Sequence, residues 1–185
     1  MSKTVSYGTA FDTLKPEAFA SVLRLVDGPL GLTWQHSSIT ADYLGEFYAL
    51  RAAAEGLEYN MVRHSIVYLV NELLENALKF RAPGDIEIAT ALADGGFEIV
   101  VSNVITTATA EKFGVLLAEI TSRDPGELLI ERIEANAADE NSSGSGLGLL
   151  TLMNDYGARL GWRFEEQAGS ELTRLQNYAA LDLRA

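Results

Sequence analysis

The chain has 185 residues, 48% of them apolar and 22% charged, enough apolar side chains for a real core and enough charge to stay in solution. Fourteen Lys and Arg against 26 Asp and Glu give a net charge of −12, which argues against binding to nucleic acid or an anionic membrane. The absence of cysteine excludes disulfides and thiol catalysis, and no apolar run is long enough to span a bilayer. Met1-Ser-Lys-Thr leads into no signal-peptide core, so a cytoplasmic home is expected. Two histidines, His36 and His64, are too few for a multi-histidine metal site, and each reads as an ordinary surface or half-buried residue.

In chain order, Val5-Ser-Tyr7 and Leu32-Thr-Trp34 alternate as strands, with a helix predicted over Pro16 to Val26 and a turn at Gly28-Pro29. Thr40 is a candidate N-cap for a helix through Ala54, with Asp42 in its first turn and Gly56 past its end. A second helix runs from Met61 to Phe80 and stops at Ala82-Pro83-Gly84. Asp85 to Ala91 and Phe97 to Ile105 read as strands joined by Asp94-Gly95-Gly96. A helix over Ala108 to Thr121 follows. Asp124-Pro125-Gly126-Glu127 opens another, with Asp as N-cap, Pro at the first position and Glu completing a capping box. That helix fades near Ala138 into a polar loop, Asp139 to Gly146. Leu147 to Ala158 is helical, and Gly161 to Gln167 and Glu171 to Ala179 form two strands around Ala168-Gly169-Ser170. With no repeat and no linker, the pattern is one α+β domain over 1–185: an N-terminal strand/helix extension to residue 39, then a core from 40 to 180.

Two stretches carry chemistry. On the helix from Met61, the residues Val62, Ile66, Leu69, Val70, Leu73, Ala77 and Phe80 form one apolar face. Ser65, Tyr68, Glu72, Asn76 and Lys79 fall within a sector of roughly 80° beside it. A polar stripe flanking a core stripe suits a helix that walls a cleft, although the same spacing also describes a solvated face. The second stretch is Ser143-Gly144-Ser145-Gly146-Leu147-Gly148-Leu149. Three glycines at alternate positions let the backbone approach a ligand closely, and the apolar run after them opens a helix whose first amides suit a di- or triphosphate. Dinucleotide-type spacing is a poor fit, and the Gly-Lys-Ser/Thr phosphate loop is absent. A merely flexible helix entry stays open at this point.

Together the stretches resemble the GHKL superfamily of ATP-binding domains. Glu72 to Phe80 matches its N box, Gly144 to Leu149 matches its G2 box, and the order of elements agrees. The resemblance covers residues 40 to 180. It implies a two-layer α/β sandwich with a mixed, mainly antiparallel sheet and helices on one face. It also implies ATP or ADP with Mg²⁺ as cofactors. Asn76 matches the Mg²⁺ ligand, Glu72 the acidic residue that serves as base, and Lys79 a position near the phosphates. Ser143, Gly144, Ser145, Gly146, Leu147 and Gly148 match the phosphate-binding loop.

The family's G1 box, Asp-x-Gly-x-Gly, is replaced by Ser102-Asn103-Val104-Ile105-Thr106-Thr107. Asn103 would have to offer its side-chain carbonyl to the adenine amino group, an amide in place of a carboxylate.

Asn71-Glu-Leu-Leu-Glu-Asn-Ala-Leu-Lys-Phe, Ser102-Asn103 and Asp139 to Thr151 more closely resemble stand-alone bacterial regulators. These include slr-type GHKL regulators, SiaB-like protein kinases and anti-sigma-factor serine kinases. Trp162, after Tyr156-Gly157-Ala158, adds to the match. The resemblance implies a small partner like an anti-sigma-factor antagonist, phosphorylated on Ser or Thr, and admits a homodimer. The missing G1 glycines favour a second reading, a module that captures its partner without catalysis. Helix 125–138 and the following loop are expected to form a lid that is mobile without ligand. Trp34 and Trp162 read as core or interface aromatics.

Overall fold

The computed structural model describes residues 3–10, 21–28, 31–138 and 146–184. Eleven elements follow in order: β1 (Thr4–Gly8), β2 (Ser21–Leu25), α1 (Trp34–Ala54), α2 (Tyr59–Phe80), β3 (Ile86–Ala93), β4 (Gly96–Thr106), α3 (Thr107–Ser122), α4 (Pro125–Ala138), α5 (Leu147–Asp155), β5 (Arg159–Glu166) and β6 (Leu172–Asp182). The strands form one sheet in the order β1-β5-β6-β4-β3-β2. Every pairing is antiparallel, so the sheet is not mixed.

Side-chain alternation gives this sheet two different faces. On β4, Phe97, Ile99, Val101 and Ile105 point into the main core with Leu175, Ala179 and Leu181 of β6. The alternate positions build only a small cluster on the other face, Val100, Tyr178 and Ala180. The helices pack on the first face. Leu44, Tyr48 and Ala52 of α1, Ile66, Leu69, Val70 and Leu73 of α2, Leu117 of α3 and Leu150 of α5 close the core there. On β4 one position breaks this apolar row: Asn103 occupies the inward site between Val101 and Ile105 and is 3% exposed.

Local chemistry explains most boundaries. The Glu58 carboxylate caps α2 by accepting from the amides of Asn60 and Met61 at 3.0 and 2.6 Å. The β3–β4 hairpin turns on Asp94 and Gly95, with φ of 51° and 75°, the left-handed pair that a two-residue loop demands. Asp124 Oδ1 accepts from the amide of Glu127 at 2.9 Å and caps α4 as expected.

The N-terminal third departs from the sequence reading. Ser21–Leu25, expected as the end of a helix over 16–26, is an edge strand paired with β3, while residues 16–20 of that helix lie outside the described residues. Leu32-Thr-Trp34 is not a strand. Thr33 is the N-cap of α1 and Trp34 its first residue, held by a capping box in which His36 Nδ1 meets the Thr33 amide at 2.9 Å. Thr40, expected as that cap, lies inside the helix, and its hydroxyl donates back to the His36 carbonyl at 2.6 Å. Asp42 is therefore in the third turn of α1 rather than its first. The Asp139-to-Gly146 loop falls outside the described residues except for Gly146.

Candidate functional site

Three helices converge above the inward face of β4. Glu72, Glu75, Asn76, Lys79 and Phe80 of α2 form one wall of a cleft of about 590 Å³, Thr109, Lys112, Phe113 and Leu116 of α3 form the other, and Gly146, Gly148 and Leu149 close one end. The C-terminal half of the polar stripe predicted on α2 thus lines the cleft. Its upstream member Tyr68 instead stacks on Tyr156 at 4.8 Å between centroids and 9° between planes, and His64 Nε2 meets Tyr156 Oη at 3.1 Å. This stack ties the end of α5 to α2 and so sets where the glycine entry of α5 lies relative to Glu72. Phe80, expected on the core face, is 38% exposed and turns toward α3, its ring parallel to Phe113 at 6.5 Å.

Gly148 lies directly over the Glu72 side chain, because a Cβ at 148 would collide with the Glu72 carboxylate. Acid and glycine entry, 76 residues apart, therefore meet, as the sequence implied. Burial, and then the neighbouring charge of Glu75, raise the Glu72 carboxyl above its ordinary value. A carboxylate so raised is a stronger proton acceptor near neutrality. Four residues on, Asn76 Nδ2 donates to the Glu72 carbonyl at 2.8 Å. Only the amide nitrogen can make that bond, so Oδ1 is the atom left for a cation.

At the start of α5, Gly146 is the N-cap with φ of 87°, and among the described residues no side chain caps the amides that follow it. A Cβ at 146 would sit 2.8 Å from Arg132 Nη1 of α4, whose Nη2 donates to Glu119 Oε2 at 2.7 Å. Uncapped amides with positive ends toward the cleft suit an anion. Lys79 stands 5.1 Å from the Phe80 ring centroid on one wall and Lys112 on the other. Among the described residues neither lysine pairs with a carboxylate. Ser143, Gly144 and Ser145 lie outside the described residues; Leu147 follows Gly146 as the first residue of α5.

Beneath the Phe80–Phe113 pair is a crevice lined by Asn76, Asn103, Thr109 and Asn177, with a volume of about 10 Å³, room for roughly one water. Asn103 Nδ2 and Oδ1 are both buried and without a hydrogen-bond partner among the described residues. Two orphaned polar atoms in a core are costly unless a ligand or water meets them. Asn177, diagonal to Asn103 in the register, donates weakly to the Val101 carbonyl at 3.5 Å. Sequence reasoning missed Lys112, Phe113, Thr109 and Asn177. The first three sit on α3, which carries no motif, and only the crossing of α3 over β4 brings them to the cleft. Trp162 is buried in the core, whereas Trp34 is exposed beside Glu75 and Lys79.

These residues fit a magnesium nucleotide: uncapped amides and two lysines for phosphates, an amide oxygen for the metal, and an orphaned amide for a base. Among the described residues no three His, Asp or Glu side chains converge as a metal site, so a cation here would lean on Asn76 and on the ligand itself.

No protein-family model matches the chain, and no curated protein matches it in sequence. Among solved structures, a chain in the crystal structure of the SiaB–SiaC complex from Pseudomonas aeruginosa superposes with a TM-score of 0.64. The match covers 89% of this chain and 91% of that one, at 13% identity. At that identity the likeness is one of fold, a two-layer α/β sandwich with helices on one face of an antiparallel sheet, the arrangement expected from the sequence.

Proposed function

We propose that the chain is a cytoplasmic, nucleotide-binding signalling regulator that acts as one domain and controls a small partner protein by ATP-dependent phosphorylation on Ser or Thr. The observation that carries this reading is Asn103: a fully buried amide with both polar atoms unpaired, at the foot of a cleft that also gathers Asn76, two lysines and the entry of α5. An amide offers an acceptor and a donor side by side, which a purine edge can satisfy together. Asn76 Oδ1 would hold Mg²⁺, while Lys79, Lys112 and the amides of Leu147 and Gly148 would hold the phosphates. Bound ATP supplies the phosphoryl group, with Mg²⁺ neutralising its oxygens. Glu72, kept basic by burial and by Glu75, would take the proton from the partner's hydroxyl. A partner protein is in keeping with the fold likeness to a chain from a two-protein complex.

One observation favours a second reading, stoichiometric capture of the partner without catalysis. β4 runs unbroken to Thr106 and α3 starts at Thr107, so no glycine loop widens the base subsite, and the Phe80–Phe113 pair narrows it further.

Calorimetric titration with ATP and ADP, with and without Mg²⁺, separates the two. Micromolar binding that requires Mg²⁺ and disappears in Asn76→Ala supports the nucleotide reading. Absence of heat at millimolar nucleotide would leave only the capture module. If nucleotide binds, Glu72→Ala should abolish transfer to the partner while leaving that binding largely intact.

A further inference from the structure

Helix α1 carries large apolar side chains on two opposite sides. One side, with Ala41, Leu44, Tyr48, Ala49 and Ala52, is fully buried. On the other, Ile39, Tyr43, Phe47 and Leu50 are 69%, 51%, 39% and 60% exposed. At 100° per residue these four fall within a sector of about 80°. Tyr43 and Phe47 stack at 6.1 Å, so the stripe is continuous. A helix with apolar side chains on two opposite faces carries more apolar surface than one core contact covers, and here the second face meets water.

The two acids beside the stripe are already paired. Arg63 of α2 holds Asp42 at 2.9 Å and Glu46 at 3.2 Å, and Glu46 is also bound by the Tyr59 hydroxyl, which draws it toward α2. A chain of net charge −12 resists meeting its own copy, except where its acids are neutralised in this way. Exposed Arg51 is the one Lys or Arg of α1, so the stripe presents no block of a single charge to a partner.

We propose that this outer stripe of α1 is the interface of a two-fold homodimer, with α1 antiparallel to α1 of a second copy. The spacing is self-complementary about a point between Glu46 and Phe47. Tyr43 then lies opposite Leu50 of the second copy, and bulky Ile39 opposite small, exposed Ala54. The four side chains leave on the order of 400 Å² in water. Two copies bury about 800 Å² of apolar surface, and since interfaces are little more than half apolar, about 1,400 Å² in all, the size of a stable complex.

Sedimentation velocity on the full chain at high micromolar concentration tests this. The wild type is expected to sediment as a dimer, insensitive to salt. Tyr43→Arg and Leu50→Arg should sediment as monomers with unchanged circular dichroism. Val115→Arg, at an equally exposed apolar site on α3, should remain a dimer. A monomeric wild type overturns the proposal and hands the stripe to a different protein; a dimer that survives Leu50→Arg, or that Val115→Arg dissolves, overturns it as well. Since the chain has no cysteine, single-cysteine variants need no background changes. Phe47→Cys, next to the two-fold, should form a disulfide-linked dimer on oxidation. Ile39→Cys should not, because its copies lie about 22 Å apart along the paired helices. The reverse pattern excludes the antiparallel register.

Discussion

Thr90 on β3 and Asn103 on β4 are polar side chains buried on the helix-facing side of one sheet, yet their surroundings differ. Thr90 Oγ1 meets Tyr48 Oη at 2.7 Å and Ser21 Oγ at 2.9 Å, and Tyr48 also donates to the Thr90 carbonyl at 3.1 Å. Every polar atom there has a partner within the protein, so the cluster serves the fold alone. Asn103 has none for either atom. Among the described residues the core satisfies the threonine and leaves the asparagine orphaned, beneath lysines and amides also without partners, which is the contrast expected if Asn103 meets a ligand.

The contrast has opposite signs in stability. Asn103→Leu removes two unsatisfied polar atoms and fills a core position, so it is expected to raise unfolding free energy by about 1–3 kcal/mol in urea titrations while lowering nucleotide affinity at least ~10-fold. Thr90→Val takes the side-chain partner from the Ser21 hydroxyl and leaves Tyr48 only the backbone carbonyl at 90, so it is expected to cost about 1–2 kcal/mol with nucleotide affinity unchanged. If both variants lose stability, Asn103 is structural and the contrast collapses.

Gly148→Ala sharpens the geometry next. Its Cβ would collide with the Glu72 carboxylate, so a loss of about 1–3 kcal/mol is expected. In a Glu72→Ala background the same change should be neutral or slightly stabilising, since alanine is the better helix former. A cycle with no coupling would place the two residues apart.

Lys112→Ala should weaken ATP roughly 3-fold by calorimetry, the scale of an exposed charge on phosphate, with Lys112→Arg retaining affinity. The smallest effect concerns pH. Glu72 ionises above its ordinary value of 4.5 because burial and Glu75 disfavour the charge. The folded chain therefore holds that proton longer than the unfolded chain, and stability is lost as pH rises from the ordinary value to the raised one. Glu72→Gln should melt with the wild type below pH 4.5 and above it at neutral pH.

What could be read without coordinates follows from how local each signal is. The helix expected from Met61 to Phe80 is α2 with two more residues at its start, because an unbroken apolar face and a Pro-Gly stop fix it locally. The Asp-Gly hairpin and the Asp124 cap are equally local. The region before residue 40 was misread where two signals compete. Ser21–Leu25 is too short to show its period, and α1 begins with a histidine in the place of the usual Glu or Gln of a capping box. In the site, Glu72, Asn76, Lys79 and Gly148 were legible as motif positions. Lys112, Phe113 and Asn177 were not, since only the path of α3 and the register of β6 bring them near Asn103.

The most direct test follows the Asn103 side chain itself. In ¹H–¹⁵N spectra its amide pair is assigned by its disappearance in Asn103→Leu, and the protein is titrated with Mg·ADP. The pair is expected to shift, and its exchange with solvent to slow, in step with calorimetric binding. A pair that stays fixed through millimolar Mg·ADP, or nucleotide binding that persists unchanged in Asn103→Leu, would contradict the assignment of this buried amide to a ligand.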